Sequence, residues 1–91
     1  MIDVREDWEY QKVRIEPSLS IPLRHLPERI GTLDRGEKYY IICSQGIRSS
    51  FAVEYMMESD FQDLHNVQSG IYGICDMLED EERQVPWIVK E

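Results

Sequence analysis

Of the two cysteines in this chain of 91 residues, one opens a run whose residue types suit chemistry: Cys43-Ser44-Gln45-Gly46-Ile47-Arg48-Ser49. The β-favouring run Lys38-Tyr39-Tyr40-Ile41-Ile42 precedes it and a largely apolar helical pattern follows from Ser49. That order places the sulfur at the carboxyl end of a strand, where parallel sheets hold their ligands. If Ser44 to Arg48 curl around the sulfur, their N–H groups and the N-terminus of the next helix aim partial positive charge at one point. A thiol so placed ionises below the ordinary thiol range and becomes a nucleophile at neutral pH. Gly46 supplies backbone freedom where a tight loop needs it, and Arg48 offers a planar fork for an anion. A cysteine ending a buried strand is often only a small apolar core residue. The company of Gly46, Arg48 and an immediate helix favours the nucleophile.

The other reactive types read as structural. Arg5 is expected near the same sheet edge as Cys43, paired with a carboxylate such as Glu9. Cys75 falls on the apolar stripe Ile71, Ile74, Cys75, Leu78, where a buried small residue is the simpler reading than a resolving thiol. His25 and His65 stand apart from the cysteines and from each other. No zinc-type spacing and no glycine fingerprint for a nucleotide occurs, so neither a metal nor a cofactor is assigned.

The elements that must position Cys43 follow from local pattern. Ile2-Asp3-Val4 reads as a strand, and Glu6-Asp7-Trp8-Glu9-Tyr10 as the acidic first turn of a short helix. Pro17 to Pro22 read as irregular, with Pro27 opening a helix that stops at Gly31. Lys38 to Cys43 reads as a central strand buried on both faces. Ser49 to Ser59 reads as a largely buried helix, its polar line confined to Ser50, Glu54 and Glu58. Asp63 to Val67 is a weaker strand, Ser69-Gly70 a turn, and Ile71 to Leu78 a second helix. Strand and helix alternate, which predicts an α/β fold with a mostly parallel central sheet.

Bulk properties bound the rest. The length allows one hydrophobic core, hence a single domain over residues 1–91, with 79–91 expected as a tail after the acidic run Glu79-Asp80-Glu81-Glu82. No apolar stretch is long enough to span a bilayer and no export signal opens the chain, so a cytoplasmic protein with reduced thiols is expected. The net charge is −8; residues 1–48 hold eight basic and eight acidic side chains, residues 49–91 two and ten. That balance disfavours nucleic acid and anionic membranes as partners.

Ile2-Asp3-Val4-Arg5-Glu6 with Glu9-Tyr10, Ile21-Pro22-Leu23, the loop Cys43 to Arg48, and Gly70-Ile71 resemble, in matching order, the landmarks of rhodanese-like domains. The resemblance implies a parallel sheet with helices on both faces. It also implies that Cys43 accepts sulfur from a donor and passes it to a thiol or other nucleophile as a persulfide. By analogy Ser44, Gln45, Gly46, Ile47, Arg48 and Ser49 form the substrate loop, with Arg5 and Gly70 in support. The partners implied are a sulfane-sulfur donor and a thiol acceptor, either of which could be protein-bound. Departures from the family pattern fall at Val13 to Ser18, at Ser69 in place of a glycine, and at Gly73-Ile74. The family ordinarily carries a strand and helix before its Asp-x-Arg signature, so a sheet without its usual first edge strand is expected. In that case Asp63 to Val67 becomes an open edge, covered by the segment Val85 to Val89 or paired in a weak homodimer. Two other functions compete: a non-catalytic module binding a partner through the same cleft, and a rhodanese-fold phosphatase. The phosphatase is disfavoured because only four residues separate Cys43 from Arg48.

Overall fold

The computed structural model describes residues 1–81 and 84–91. Its four-stranded sheet is parallel throughout, with strand order β3-β1-β4-β5, formed by β1 (Ile2–Asp3), β3 (Leu19–Ser20), β4 (Lys38–Ile42) and β5 (Asp63–Asn66). Parallel neighbours need crossovers, and helices supply most of them. These are α1 (Asp7–Lys12), α2 (Leu26–Arg29, with a turn of 3-10 helix on either side), α3 (Ile47–Glu58) and α4 (Gly70–Asp80). A separate antiparallel ribbon joins β2 (Val13–Ile15) to β6 (Ile88–Lys90). The α/β architecture read from the alternating pattern is the one observed, and no helix among the described residues is long and apolar enough to cross a membrane.

Side-chain alternation splits the interior into two clusters, one per sheet face. Ile2, Val4, Ile41 and Cys43 meet Leu26 and Ile30 of the α2 region and Ala52 and Met56 of α3. Ile42 meets Ile71 of α4 and Ile15 of β2, with Ile74, Cys75 and Ile88 packed around them. Cys75 lies against this apolar packing but is only partly buried, not enclosed as its stripe implied.

Four expectations are corrected. The central strand is not covered along its whole length: Tyr40 is 45% exposed and stacks on His65 of the neighbouring strand. The helix α3 is not largely buried, because only Ser49, Ala52 and Met56 are enclosed while Ile47, Phe51 and Met57 face solvent. Three residues at near-heptad spacing make the contact with one sheet face, Val53 and Tyr55 pack partly buried at its margin, and Ile47, Phe51 and Met57 lie on the open side. The segment expected as a tail carries regular structure among its described residues: Glu79 and Asp80 complete α4, and Ile88–Lys90 is a strand. Glu82, the end of the acidic run, lies outside the described residues. That C-terminal strand does not shield β5 either, since its register is Val13↔Lys90, Arg14↔Val89 and Ile15↔Ile88. Its apolar residues pair with β2 instead, where Ile15 is already buried. The strand β5 is an edge, as expected, guarded by the exposed Asp63–His65 pair at 2.6 Å.

Candidate active site

Cys43 follows β4 directly and is 1% exposed. Beyond it the chain turns so sharply that Gly46 adopts φ +91°, a left-handed conformation that costs a residue with a Cβ. A Cβ at Gly46 would also run into the Gln68 carbonyl. This turn brings the Gly46 N–H to 3.1 Å and the Ser49 N–H to 3.4 Å from the Cys43 sulfur, and the Ser49 hydroxyl oxygen to 3.3 Å. Burial pushes the Cys43 thiol up, but the hydrogen bonds of the Ser49 hydroxyl and of the Ser49, Gln45 and Gly46 N–H groups outweigh it and hold the thiol below its ordinary value. The loop therefore forms the donor-rich cradle that its composition implies.

The back of the loop is tied down by α4. The Ile71 N–H donates to the Cys43 carbonyl at 2.9 Å and the Tyr72 N–H to the Ser44 carbonyl at 3.2 Å. Such contact requires Gly70, whose φ is +66° and whose position leaves no room for a Cβ against Ser44. Ser44 and Ser49 are buried, whereas Gln45 and Ile47 are exposed at the mouth.

Arg48, on the first turn of α3, is held by α1. Its two terminal nitrogens reach the two carboxylate oxygens of Glu9 at 2.6 and 2.8 Å, and one of them also meets the Ser44 hydroxyl at 3.2 Å. Ser44 donates in turn to Glu9 Oε2 at 3.1 Å. The hydrogen bond from Arg48, against the cost of burial and helped by the Glu6 N–H, the Arg48 charge and Ser44, lowers the Glu9 carboxyl to about 2. The expected Arg5–Glu9 ion pair is therefore corrected. Arg5 is fully buried against Asp3, two residues back on the same strand face, at 2.8 Å, and reaches only the backbone carbonyls of Glu9 and Val13. Asp3 satisfies Arg5 locally, which leaves the Glu9 carboxylate free to meet Arg48. Arg5 fastens β1 to α1 and β2 beneath the loop.

Residues 1–77 match the model of the rhodanese-like domain. The chain belongs to the rhodanese-like domain family. This rhodanese-like chain is 37% identical over 71 residues to the putative sulfurtransferase YtwF of Bacillus subtilis, a stretch covering 78% of this chain and 68% of that protein. It is also 37% identical over 71 residues to the putative sulfur carrier protein YrkF of the same organism, covering 78% of this chain but 38% of that protein. Among solved structures, the rhodanese-related protein from Thermoplasma volcanium superposes with a TM-score of 0.78 at 32% identity, covering 99% of this chain and 82% of that one. These relatives support rhodanese-type sulfur chemistry for the family to which the chain belongs.

Three features of the rhodanese-like site escape a reading of the sequence. Glu9 was visible as an acid near Arg5 but not as the partner of Arg48, 39 positions later. The α4 N–H groups that hold the loop carbonyls carry no residue-type signal beyond Gly70. Asn66 is the third: its side chain lies between Ser49 Oγ, at 2.5 Å, and the Gly46 carbonyl, at 3.3 Å. Asn66 ends a parallel strand beside the one that leads into Cys43, and that neighbourhood is set by the sheet order. Among the described residues no cluster of ligating side chains suits a metal ion.

Proposed function

We propose that this rhodanese-like domain is a sulfurtransferase working through a persulfide on Cys43. The observation that carries the reading is the buried Cys43 sulfur receiving N–H groups from Gly46 and Ser49 at the carboxyl end of a parallel sheet. In the first half-reaction the Cys43 thiolate attacks the sulfane sulfur of a donor. A Cys43–sulfur bond forms, the donor's sulfur–sulfur bond breaks, and the donor departs as a thiolate or sulfite with that bond's electron pair. The product anion, Cys43–S–S⁻, is stabilised by the same N–H groups that favour the thiolate. An acceptor thiolate then attacks the outer sulfur, the persulfide bond breaks, and Cys43 leaves as a thiolate. Both half-reactions need a good leaving thiolate and no general base, which agrees with the absence of a histidine from the bonds made by Cys43.

The donor is a persulfide, protein-bound or small, in preference to thiosulfate. The one cation of the loop, Arg48, is neutralised by Glu9, so the mouth offers a dianion little net attraction. The same pairing counts against a phosphatase, whose arginine must turn toward three phosphoryl oxygens. A module that only binds a partner would have no use for a buried thiol held below its ordinary ionisation range. Incubation with a sulfane donor followed by intact mass measurement tests the reading: one added sulfur on Cys43, removable by dithiothreitol, supports it. Loss of labelling in Cys75→Ser with retention in Cys43→Ser contradicts it.

A further inference from the structure

The hydrogen bonds around the nucleophile close into a ring. Cys43 Sγ lies 3.3 Å from Ser49 Oγ; the Ser49 hydroxyl donates to Asn66 Oδ1 at 2.5 Å; Asn66 Nδ2 donates to the Gly46 carbonyl at 3.3 Å; and the Gly46 N–H returns to Sγ at 3.1 Å. The amide orientation follows from the ring, since its NH₂ end must face the Gly46 carbonyl, and so Oδ1 must face Ser49. Ser49 is fully buried, so water does not supply it with an alternative partner. A serine hydroxyl has a single hydrogen to give. Two acceptors compete for it whenever the sulfur is ionised: Asn66 Oδ1 and the sulfur itself. In the thiol state the bonds run one way, S–H to Ser49 and Ser49 to Asn66. In the anionic state the hydroxyl must turn toward the sulfur, leaving Oδ1 without its donor.

We propose that Asn66 is a positioning residue for Cys43, acting through Ser49: its carbonyl end holds the Ser49 hydrogen while Cys43 is a thiol, and cedes it when the sulfur carries charge. The amide end meanwhile pins the Gly46 turn that aims the backbone donor. Asn66 is thus the element through which edge strand β5 sets how readily the sulfur ionises. The charged groups facing this sulfur are few. Arg48 of α3 is tied to Glu9 of α1, and the Arg5–Asp3 pair of β1 lies beneath the loop. On β5, Asp63 and His65 are paired with each other at the exposed edge, and the first turn of α4 contains no acid. Among the described residues no carboxylate or ammonium group bonds to Sγ, so the neutral Ser49–Asn66 pair is well placed to tune it.

The role rests on the persulfide reading of Cys43, but its test needs no sulfur donor. Iodoacetamide alkylation of Cys43 is followed against pH in a Cys75→Ser background, with the fold of each variant checked by circular dichroism. Asn66→Asp and Asn66→Ala both lose the amide bond to Gly46, so the contrast between them reads the acceptor facing Ser49 together with the charge that Asp adds, and Ser49→Ala separates the two. Asn66→Asp keeps a stronger acceptor for the Ser49 hydrogen and is expected to react about tenfold more slowly than Asn66→Ala at neutral pH, with its midpoint moved upward. Ser49→Ala removes the intermediary and is expected to shrink that contrast at least by half, leaving only the through-space effect of the added charge. Equal reactivity in the two Asn66 variants, or a contrast undiminished by Ser49→Ala, overturns the proposal. If Asn66→Asp does not fold, the effect of Ser49→Ala decides: a larger slowing of alkylation in the Asn66→Ala background than in the natural chain supports the role, and an equal or smaller slowing contradicts it. Failure of Cys43 to take up sulfur would sink the functional reading while leaving this alkylation cycle able to judge Asn66.

Discussion

The guanidinium of Arg48 meets the carboxylate of Glu9 through two bonds of 2.6 and 2.8 Å, joining α3 to α1 beside the loop that follows Cys43. The pair has two consequences, because each partner carries the other's charge. Arg48→Ala leaves a nearly buried carboxylate without its cation, so it is expected to destabilise the fold as well as to weaken transfer, by about 1.5 to 3 kcal/mol of charge-assisted bonding. Glu9→Gln instead frees the guanidinium. Its expected signature is improved use of thiosulfate relative to a persulfide donor, read as the ratio of kcat/KM for the two. An unchanged ratio would remove Glu9 from the control of donor choice.

Acid should dismantle the same pair. The Glu9 carboxyl falls from the usual carboxylate range to about 2 in the folded chain. A lowered carboxyl stabilises the fold above its unfolded value and loses that contribution as pH falls through its folded value. The contribution, about 2 to 3 kcal/mol, is therefore present at pH 5 and drains away between roughly pH 4.5 and 2. Urea titrations across this range should show the loss in the natural chain, and a flatter profile in Glu9→Gln.

Gly70 makes a sharper prediction than its place in a turn alone would suggest. Its φ of +66° and its contact with Ser44 both exclude a Cβ. Gly70→Ala should cost at least about 2 kcal/mol, combining left-handed strain with displacement of α4 from the loop. Thermal melting measures the cost. Slower alkylation of Cys43 in the same variant would show that α4 holds the cradle in shape.

The C-terminal strand offers a test remote from the chemistry. Removing residues 85–91 takes away β6, uncovers Ile15, and deprives Ile71 and Cys75 of the Ile88 side chain in their cluster. A loss of about 2 kcal/mol or more is expected by chemical denaturation. Unchanged stability would mean that the ribbon with β2 contributes nothing.

Much of the positioning was legible because it is local. The run Lys38 to Ile42, the sharp turn at Gly46 and the helix after it are encoded by adjacent residues, and so the cradle around Cys43 could be read before the fold was known. Pairings between distant residues could not. Arg5 had two acids within reach along the chain, Asp3 and Glu9, and only the strand geometry decides that Asp3 takes it and leaves Glu9 to Arg48. The destination of Val85 to Val89 was equally undetermined, since an apolar β-favouring segment pairs with whichever open edge it meets, and β2, β3 and β5 each offered one. Burial of α3 was overestimated because its apolar residues nearly encircle the helix while the sheet can cover only one side of it. Asn66 stayed hidden for a further reason: its role depends on β5 ending beside β4, which no local pattern states.

The destination of the sulfur decides the role of Cys43. Protein reduced and freed of small thiols, then treated with a polysulfide and examined by intact mass and peptide mapping, should gain one sulfur atom at Cys43. The adduct should be lost to dithiothreitol, absent from Cys43→Ser and unaffected by Cys75→Ser. Sulfur found on Cys75 alone, or labelling of Cys43→Ser equal to that of the natural chain, would contradict it.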